Sequence, residues 1–220
     1  MTAPVIETDG RAIVLDLSEG ATLVGRPIAG LDVDTLSALI DRAMREAGTA
    51  YAFGRWGEPR ALYRGAAYAS ADGEARTVHM GIDVFCRAGT PVRAPEDGVV
   101  VSVANNDREL DYGPLVILGH GGNGEPDRFS LYGHLSLDTL DRVTPGQRVT
   151  AGDQVASVGS PPSNGNWPPH LHFQLIDDLL GLGADFPGVA AASERARWLT
   201  LSPSPARYFP ELDAGQLEYR

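Results

Sequence analysis

The stretch His170-Leu171-His172-Phe173-Gln174-Leu175-Ile176 predicts a β-strand that carries two histidines on one face. Side chains two residues apart in a strand point to the same side, whereas in a helix they do not face each other. Pro168 and Pro169, directly before this stretch, exclude a helix interior. We therefore expect His170 and His172 to point in the same direction and to share a common partner.

A second short motif, His79-Met80-Gly81-Ile82-Asp83, places a histidine and a carboxylate four residues apart. If this segment is extended, His79 and Asp83 lie on the same side of the chain. A further histidine, His134, stands between the two motifs. Together these positions use four of the five histidines in the chain, which packing alone does not explain.

Two imidazoles and one carboxylate suit zinc, and a catalytic zinc site keeps three protein ligands and a fourth position open for water. Zinc lowers the pKa of that water to about 7 and can polarise a substrate carbonyl. The two histidines left over could take a proton or stabilise charge on a tetrahedral intermediate. His120 fits none of these spacings, and we interpret it as a strand-end residue whose ring hydrogen-bonds a turn.

These motifs belong to a longer ordered set that covers about half of the chain, from roughly Tyr63 to Ile176. The set closely resembles the lysostaphin or LytM-type zinc metallopeptidases, metallopeptidase family 23. Besides the two histidine motifs, it consists of Ala88-Gly89-Thr90-Pro91-Val92-Arg93-Ala94-Pro95, Asp97-Gly98-Val99-Val100, Tyr132-Gly133-His134-Leu135-Ser136, Gly146-Gln147-Arg148-Val149, Ala151-Gly152-Asp153 and Val158-Gly159-Ser160.

The resemblance implies a mainly β fold with an antiparallel β-sheet core of the LytM/lysostaphin type, the duplicated hybrid motif, and short flanking helices at both ends. It also implies that His79, Asp83 and His172 bind Zn²⁺. The same resemblance makes His170 and His134 the catalytic histidines that handle protons and the oxyanion. Since every one of these positions is kept, the motif set favours an active member of the family over a degenerate one.

One position departs from the family pattern. Some members place a tyrosine a few residues before the first histidine as an extra transition-state donor, and here that stretch is Ala71-Asp72-Gly73-Glu74-Ala75-Arg76. Either Arg76 or one of Tyr63, Tyr68 and Tyr132 substitutes for it, or the donor is absent.

Composition sets the outer bounds. With 220 residues, of which 43% are hydrophobic, the chain can bury one substantial core. Its 26 glycines and 16 prolines cluster between short apolar runs, which is typical of a turn-rich β fold. The net charge of -11 argues against a nucleic-acid partner and against attraction to an anionic cell wall, and we interpret it as favouring solubility.

Neither a targeting segment nor a membrane span is expected. The first residues, Met1 to Glu7, lack the basic start and apolar run of a signal peptide, which predicts a cytoplasmic protein. No segment is long and apolar enough to predict a membrane span. The single cysteine, Cys86, excludes an internal disulfide, and we interpret it as a buried structural thiol on the face opposite Asp83.

We divide the chain into an N-terminal extension (1–60), a metallopeptidase domain (61–178) and a C-terminal extension (179–220). In the first, Ala12 to Leu17 predicts a strand and Asp34 to Glu46 an amphipathic helix that docks onto the core. Asp34 is the candidate cap and Gly48 lies just beyond the helix end. The predicted strands of the central region are Gly98 to Ala104, Pro114 to Gly119, Phe129 to His134, Gln154 to Val158 and His170 to Ile176.

The last two predictions concern a loop and the C-terminal region. The loop from Ser160 to Trp167 is expected to form a wall of the substrate groove, with Trp167 either contacting substrate or packing the loop. The third region contains a predicted helix near Ala192 to Trp198. It loosely resembles the segment that joins such a core to a class III aminotransferase domain in cytoplasmic multidomain proteins, which implies a functional link to an aminotransferase.

The sequence thus predicts a zinc-dependent hydrolase that cleaves an amide or peptide bond through a metal-activated water. Its substrate is a peptidoglycan-type peptide, as in the family, or a small amide from an intracellular biosynthetic pathway. The alternative from another class is a noncatalytic zinc-binding module. Three ligands favour catalysis, but His134 or His170 as a fourth ligand would close the site and favour a structural role.

Overall fold

The protein is built mainly from β-strands, as predicted. A computed structural model describes residues 2–63, 68–69, 73–121 and 126–219. The strands are β1 (Ile13–Val14), β2 (Thr22–Leu23), β3 (Arg26–Pro27), β4 (Ala52–Gly54), β5 (Arg76–His79), β6 (Ile82–Phe85), β7 (Pro91–Arg93), β8 (Gly98–Asn106), β9 (Gly113–His120), β10 (Arg128–Gly133), β11 (Arg148–Val149), β12 (Gln154–Ser157), β13 (His170–Ile176) and β14 (Val189–Ala191).

The main sheet has eight strands in the order β1-β4-β6-β13-β10-β9-β8-β11. Every neighbouring pair in it is antiparallel except β1 and β4, which are parallel. Three small sheets pair β12 with β7, β14 with β5 and β2 with β3. The antiparallel core therefore agrees with the predicted fold class.

Strand β13 lies in the middle of the main sheet and is buried along its whole length. Its apolar residues Leu171, Phe173 and Leu175 belong to the largest hydrophobic cluster. Since side chains alternate along a strand, this packing turns His170 and His172 to the other face. The alternation of side chains along β13, which the sequence predicted, therefore places the apolar residues in the core and the two histidines on the opposite face.

The helices flank the sheet. They are α1 (Val33–Ala47), α2 (Thr139–Arg142), α3 (Arg195–Leu201) and α4 (Ala214–Leu217). The predicted helix near Ala192 to Trp198 is displaced, because its first three residues form a 3₁₀ turn and the α-helix starts at Arg195. No helix of the described ranges has the length and apolar character needed to cross a membrane.

Helix α1 buries the predicted stripe, including Leu36, Leu39 and Ile40, in a cluster that also contains Phe85 of the main sheet. The predicted cap was wrong. Asp32, and not Asp34, accepts a hydrogen bond from the Thr35 backbone N–H at 2.7 Å, so the cap lies two residues before the predicted one and the helix starts at Val33. Both residues are acidic and adjacent to the helix start, so composition alone does not choose between them.

The C-cap was predicted correctly. Gly48 closes α1 in the left-handed conformation, with φ 67°, and its backbone N–H bonds back to the last turn. Only glycine adopts this conformation without a steric cost, which explains the position of Gly48 directly after the helix.

The first and last regions of the chain share the sheet and core of the central one. Strands β1 and β4 extend the main sheet beside β6, and β14 pairs with β5. Phe209 packs against Phe53 and Phe173, with ring centres 5.3 and 5.8 Å away. The predicted first strand is shorter than expected, since β1 spans Ile13–Val14 within Ala12 to Leu17.

Two side chains interpreted as structural have structural surroundings. Cys86 is buried and unpaired, and burial raises the pKa of its thiol to about 12. His120 ends β9, and its ring bonds the Asp97 carbonyl oxygen at 3.0 Å, in the turn before β8, and the Ser130 hydroxyl at 2.7 Å. Both fit the predicted roles.

Candidate active site

Neighbouring strands bring the predicted ligands together. His172 in β13 pairs with Asp83 in β6, so their side chains leave the same face of the sheet. His79 ends β5, and Met80 and Gly81 lead directly into β6. A Cβ on Gly81 would lie 2.7 Å from His172 Cε1, so only glycine lets the His172 ring approach this turn. Gly81 of the first histidine motif is therefore required for the position of His172 in the second motif.

Three potential ligand atoms converge in this arrangement. His79 Nε2 lies 2.9 Å from His172 Nδ1 and 3.1 Å from Asp83 Oδ1, and His172 Nδ1 lies 3.2 Å from the same oxygen. Ligand atoms around a tetrahedral zinc with bonds of 2.0–2.1 Å are about 3.3 Å apart. These buried groups could hold a metal ion with shifts of a few tenths of an ångström.

Hydrogen bonds on the outer side of each ring fix which nitrogen faces the cluster. His79 Nδ1 donates to the Arg55 carbonyl oxygen, and His172 Nε2 donates to Gln174 Oε1, both at 2.9 Å. The inward nitrogens of the neutral rings therefore carry lone pairs. Two lone pairs and a carboxylate oxygen that face one another without a proton between them form a donor set that fits a cation.

The two other predicted histidines lie beside this cluster. His170 Nε2 is 3.8 Å from Asp83 Oδ1, and the His134 and His170 ring centres are 4.3 Å apart. Their Nδ1 atoms donate to the carbonyl oxygens of Asn164 (2.9 Å) and Pro168 (2.7 Å). Each neutral ring thus keeps an unprotonated Nε2, which can accept a proton.

His134 lies outside the strand in which it was predicted. Strand β10 ends at Gly133, and His134 has φ 61°, a conformation that costs energy for a residue other than glycine. Its backbone N–H bonds the Tyr112 carbonyl oxygen, and its carbonyl accepts from Gly159. This departure from the strand turns the ring towards His170.

Burial and one cation set the charges of the cluster. Burial alone would raise the pKa of Asp83, but the Arg60 guanidinium, followed by His79 and His170, holds it well below its usual range. Burial, followed by the charge of Arg60, lowers the pKa of His79 to about 3. Burial also lowers the pKa of His134 and of His170. A carboxylate among neutral imidazoles is the state that binds a metal.

A cavity of about 500 Å³ opens onto this cluster. Asp83, His134, His170 and His172 line it directly. Its remaining walls come from all three regions of the chain and are formed by Leu36, Arg60, Leu62, Tyr63, Tyr68, Arg76, Phe85, Asn106, Arg108, Glu109, Leu110, Asp111, Tyr112, Trp167, Pro168, Asp185, Phe186, Pro187, Gly188 and Val189.

The structure separates the candidate transition-state donors. Tyr63, Tyr68 and Arg76 line the cavity, whereas Tyr132 does not and packs against Phe173 in the core. The Tyr68 hydroxyl donates to the Leu110 carbonyl oxygen at 2.9 Å, so its hydrogen is already used. Ala71 and Asp72, in the stretch that corresponds to the family tyrosine, lie outside the described residues.

Trp167 forms part of the cavity wall, with its ring centre 6.0 Å from that of Tyr63 and 6.3 Å from that of His134. The loop that carries it is held by Asn164, whose side chain bonds Trp167 N and O. Trp167 is therefore placed where it could contact substrate.

Sequence reasoning missed three residues of the site. Arg60 bonds Asp83, Gln174 orients His172, and Tyr112 is a buried tyrosine whose hydroxyl has no partner in the described part of the chain. The Tyr112 ring centre is 5.5 Å from that of His172. The strand alternation that paired His170 with His172 could have found Gln174, which lies two residues further on the same face.

The metal-free protein is expected to lose stability as the pH falls below about 6.5, the pKa of an exposed histidine. The folded chain keeps His79, His134 and His170 unprotonated because their pKa values are lowered, whereas the unfolded chain protonates them. Their contribution is therefore fully present above that pH and is lost progressively below it.

Urea unfolding of zinc-free protein at pH 7.5 and at pH 5.0 measures this effect. Both values lie above the normal pKa of Asp and Glu, so carboxylates contribute little. The midpoint should be lower at pH 5.0; an equal or higher midpoint there would show that these imidazoles are not buried in the neutral form.

The fold and the site together define a mainly β domain with a two-histidine, one-carboxylate centre in a cavity. Residues 77–180 match the model of peptidase family M23, so this part of the chain belongs to that family, as its motifs predicted.

Relatives match about half of the chain. The uncharacterized lipoprotein YgeR of Escherichia coli is 36% identical over 49% of this chain and 37% of its own length. The DD-carboxypeptidase/endopeptidase Mpg of Neisseria meningitidis is 34% identical over 44% of this chain and 20% of its own. The catalytic domain of EnpA, a prophage-encoded M23 protein of Enterococcus faecalis, is 31% identical. The match covers 50% of this chain and 76% of the EnpA chain, with a TM-score of 0.38. The chain thus spans only a fifth to two-fifths of the length of these curated relatives.

Proposed function

We propose that this protein is a zinc-dependent peptidase that hydrolyses an amide bond in a peptidoglycan-type peptide. The observation that carries the proposal is the convergence of His79 Nε2, His172 Nδ1 and Asp83 Oδ1 beside two further imidazoles with unprotonated Nε2 atoms. Membership of the matched region in a peptidase family supports the class of reaction.

In this proposal His79, Asp83 and His172 hold the metal. Zinc bound there would lower the pKa of a coordinated water to about 7 and polarise the substrate carbonyl. Gln174 and the Arg55 carbonyl oxygen keep the two imidazoles turned inward. Because the ligand set uses three protein groups, a position stays open for chemistry.

His170 is the general base. Its Nε2 faces the ligand cluster, and its Nδ1–H is already committed to Pro168, so the ring can accept a proton from the attacking water. The proton then goes to the leaving amine as the C–N bond breaks. His134 would support the oxyanion as the imidazolium, when the proton taken up by His170 passes to its Nε2 before reaching the leaving amine, because the neutral ring has no hydrogen to offer there.

Tyr63 supplies the missing donor. Arg60 Nη1 donates to the Tyr63 hydroxyl oxygen at 3.0 Å, which leaves the hydroxyl hydrogen free to point into the cavity. Tyr63→Phe is therefore expected to lower kcat by roughly 100-fold, the usual cost of one oxyanion donor, without loss of zinc. Steady-state kinetics together with zinc analysis checks both parts.

Tyr132→Phe is the matched control, since it removes a buried tyrosine hydroxyl that bonds Ser130 and does not line the cavity. It should change kcat by less than the Tyr63 variant at a temperature where both are folded. Equal turnover of the Tyr63→Phe variant and wild type would remove Tyr63 from the mechanism.

Digestion of purified peptidoglycan and of glycyl peptides tests the function itself. Mass spectrometry should show new amino termini within the peptide part, lost on treatment with a chelator and restored by added zinc. A protein that holds zinc but cleaves neither substrate would contradict a cell-wall role.

A small amide is the second candidate substrate. Residues outside the matched region also line the cavity. They include Leu62 and Tyr63, which precede that region in the sequence, and Phe186 and Pro187, which follow it. A cavity of about 500 Å³ suits a small molecule. Cleavage of small acyl-amine compounds, with peptidoglycan left intact, would favour this candidate and the cytoplasmic location predicted from the sequence.

A further inference from the structure

Arg60 reaches the proposed metal centre from outside the matched family region. Its guanidinium is 2% exposed and bonds Asp83 Oδ2 through Nη1. The same nitrogen donates to the Tyr63 hydroxyl, and Nε donates to Glu58 Oε2 at 3.2 Å. A single buried cation thus contacts a predicted metal ligand and the predicted oxyanion donor.

The two oxygens of Asp83 have different surroundings. Oδ1 faces His79 and His172, at 3.1 and 3.2 Å, whereas Oδ2 is held by Arg60. A carboxylate with one oxygen committed to a guanidinium presents only the other to a metal. Arg60 therefore restricts Asp83 to ligation through Oδ1.

The surrounding chain fixes Arg60 before any metal binds. Glu58, fully buried, accepts from Arg55 Nη2 at 2.7 Å and from the Leu17 backbone N–H at 3.2 Å, and so is held against Arg60. The Arg60 backbone N–H donates to the Thr77 carbonyl oxygen at 2.9 Å. Glu58 also offsets the positive charge that Arg60 adds beside a cation site.

Gly54 makes room for the guanidinium. It is the partner of Asp83 in the pairing of β4 with β6, and a Cβ at this position would overlap Arg60 Nη2. Since the overlapping atom is the end of a flexible side chain, an alanine here would displace the guanidinium with little change to the backbone.

We propose that Arg60 is a positioning residue that holds Asp83 as a one-oxygen zinc ligand and orients the Tyr63 hydroxyl. This inference rests on the proposed function. If Arg60 has this role, the segment around it contributes to the metal centre, although it precedes the region that matches the peptidase family. Loss of a residue that orients a metal ligand typically lowers metal affinity by roughly 10- to 100-fold.

Zinc dissociation constants of the full chain, measured by competition with a chromophoric chelator, test the proposal. Arg60→Gln should bind zinc roughly 10- to 100-fold more weakly than wild type. Gly54→Ala keeps Arg60 but displaces its guanidinium, and it should also bind zinc more weakly than wild type. This variant replaces Arg60→Gln in the test if Arg60→Gln does not fold. Arg128→Gln is the matched control, because Arg128 pairs with Glu96 away from the cavity and should bind zinc as wild type does.

The visible spectrum of the Co²⁺-substituted protein gives a second readout that a purely structural arginine would not change. If Asp83 becomes free to use both oxygens, the coordination number rises and the absorption of the Arg60 variant should weaken. Folded variants with wild-type zinc affinity and an unchanged Co²⁺ spectrum would overturn the role of Arg60 alone. A wild-type protein that binds no zinc would instead overturn the proposed function, and this inference with it.

Discussion

His170→Ala is expected to lower turnover by about 10²- to 10⁴-fold, the usual contribution of a general base, while the protein keeps its zinc. The His170 ring is not among the three groups whose ligand atoms converge, but its Nε2 lies 3.8 Å from Asp83 Oδ1. Removing it should therefore leave the metal in place and remove the proton acceptor. Kinetics and elemental analysis of the same preparation measure both effects.

His120→Ala is the matched control, because His120 is also buried but lies outside the cavity and bonds Asp97 and Ser130. It should keep both zinc and turnover at a temperature where the variant is folded. A His170→Ala enzyme with wild-type kcat would exclude His170 as the base, and loss of zinc from that variant would make it a ligand.

His79→Ala is expected to abolish both zinc binding and turnover. His79 supplies one of three ligand atoms, and the two that remain, from Asp83 and His172, form an incomplete site for a metal that takes at least three protein ligands. Zinc content should fall from about one per chain to a trace.

His134→Ala separates this outcome from general damage to the site. His134 is buried beside His170 but contributes no atom to the converging group, so its removal should leave zinc content unchanged. If both variants lost zinc equally, His134 would be a fourth ligand and the site a closed, structural one.

The sequence was sufficient for much of the site because strand geometry is periodic. The alternation of side chains in a strand predicted that His170 and His172 lie on one face. In the structure they lie on the same face of β13, and Leu171 and Phe173 pack into the core on the opposite face. His79 and Asp83 meet as expected, although the chain turns at Gly81 between two strands and is not extended throughout.

What the sequence did not predict depends on contacts between distant segments. No pattern marks Arg60, which lies outside the strands and whose partner Asp83 is 23 residues away in β6. The position of His134 outside β10 follows from hydrogen bonds to Tyr112 and Gly159, which strand propensity does not contain. Asp32 and Asp34 were both possible caps of α1, and only the backbone geometry distinguishes them.

Anomalous diffraction at the zinc edge from crystals of the zinc-loaded protein tests the central claim most directly. The proposed function predicts a single strong peak about 2.0–2.2 Å from His79 Nε2, His172 Nδ1 and Asp83 Oδ1, with the fourth position taken by a water or another non-protein ligand. A crystal without a peak there, or a zinc whose fourth ligand is His134 or His170, would contradict a catalytic site.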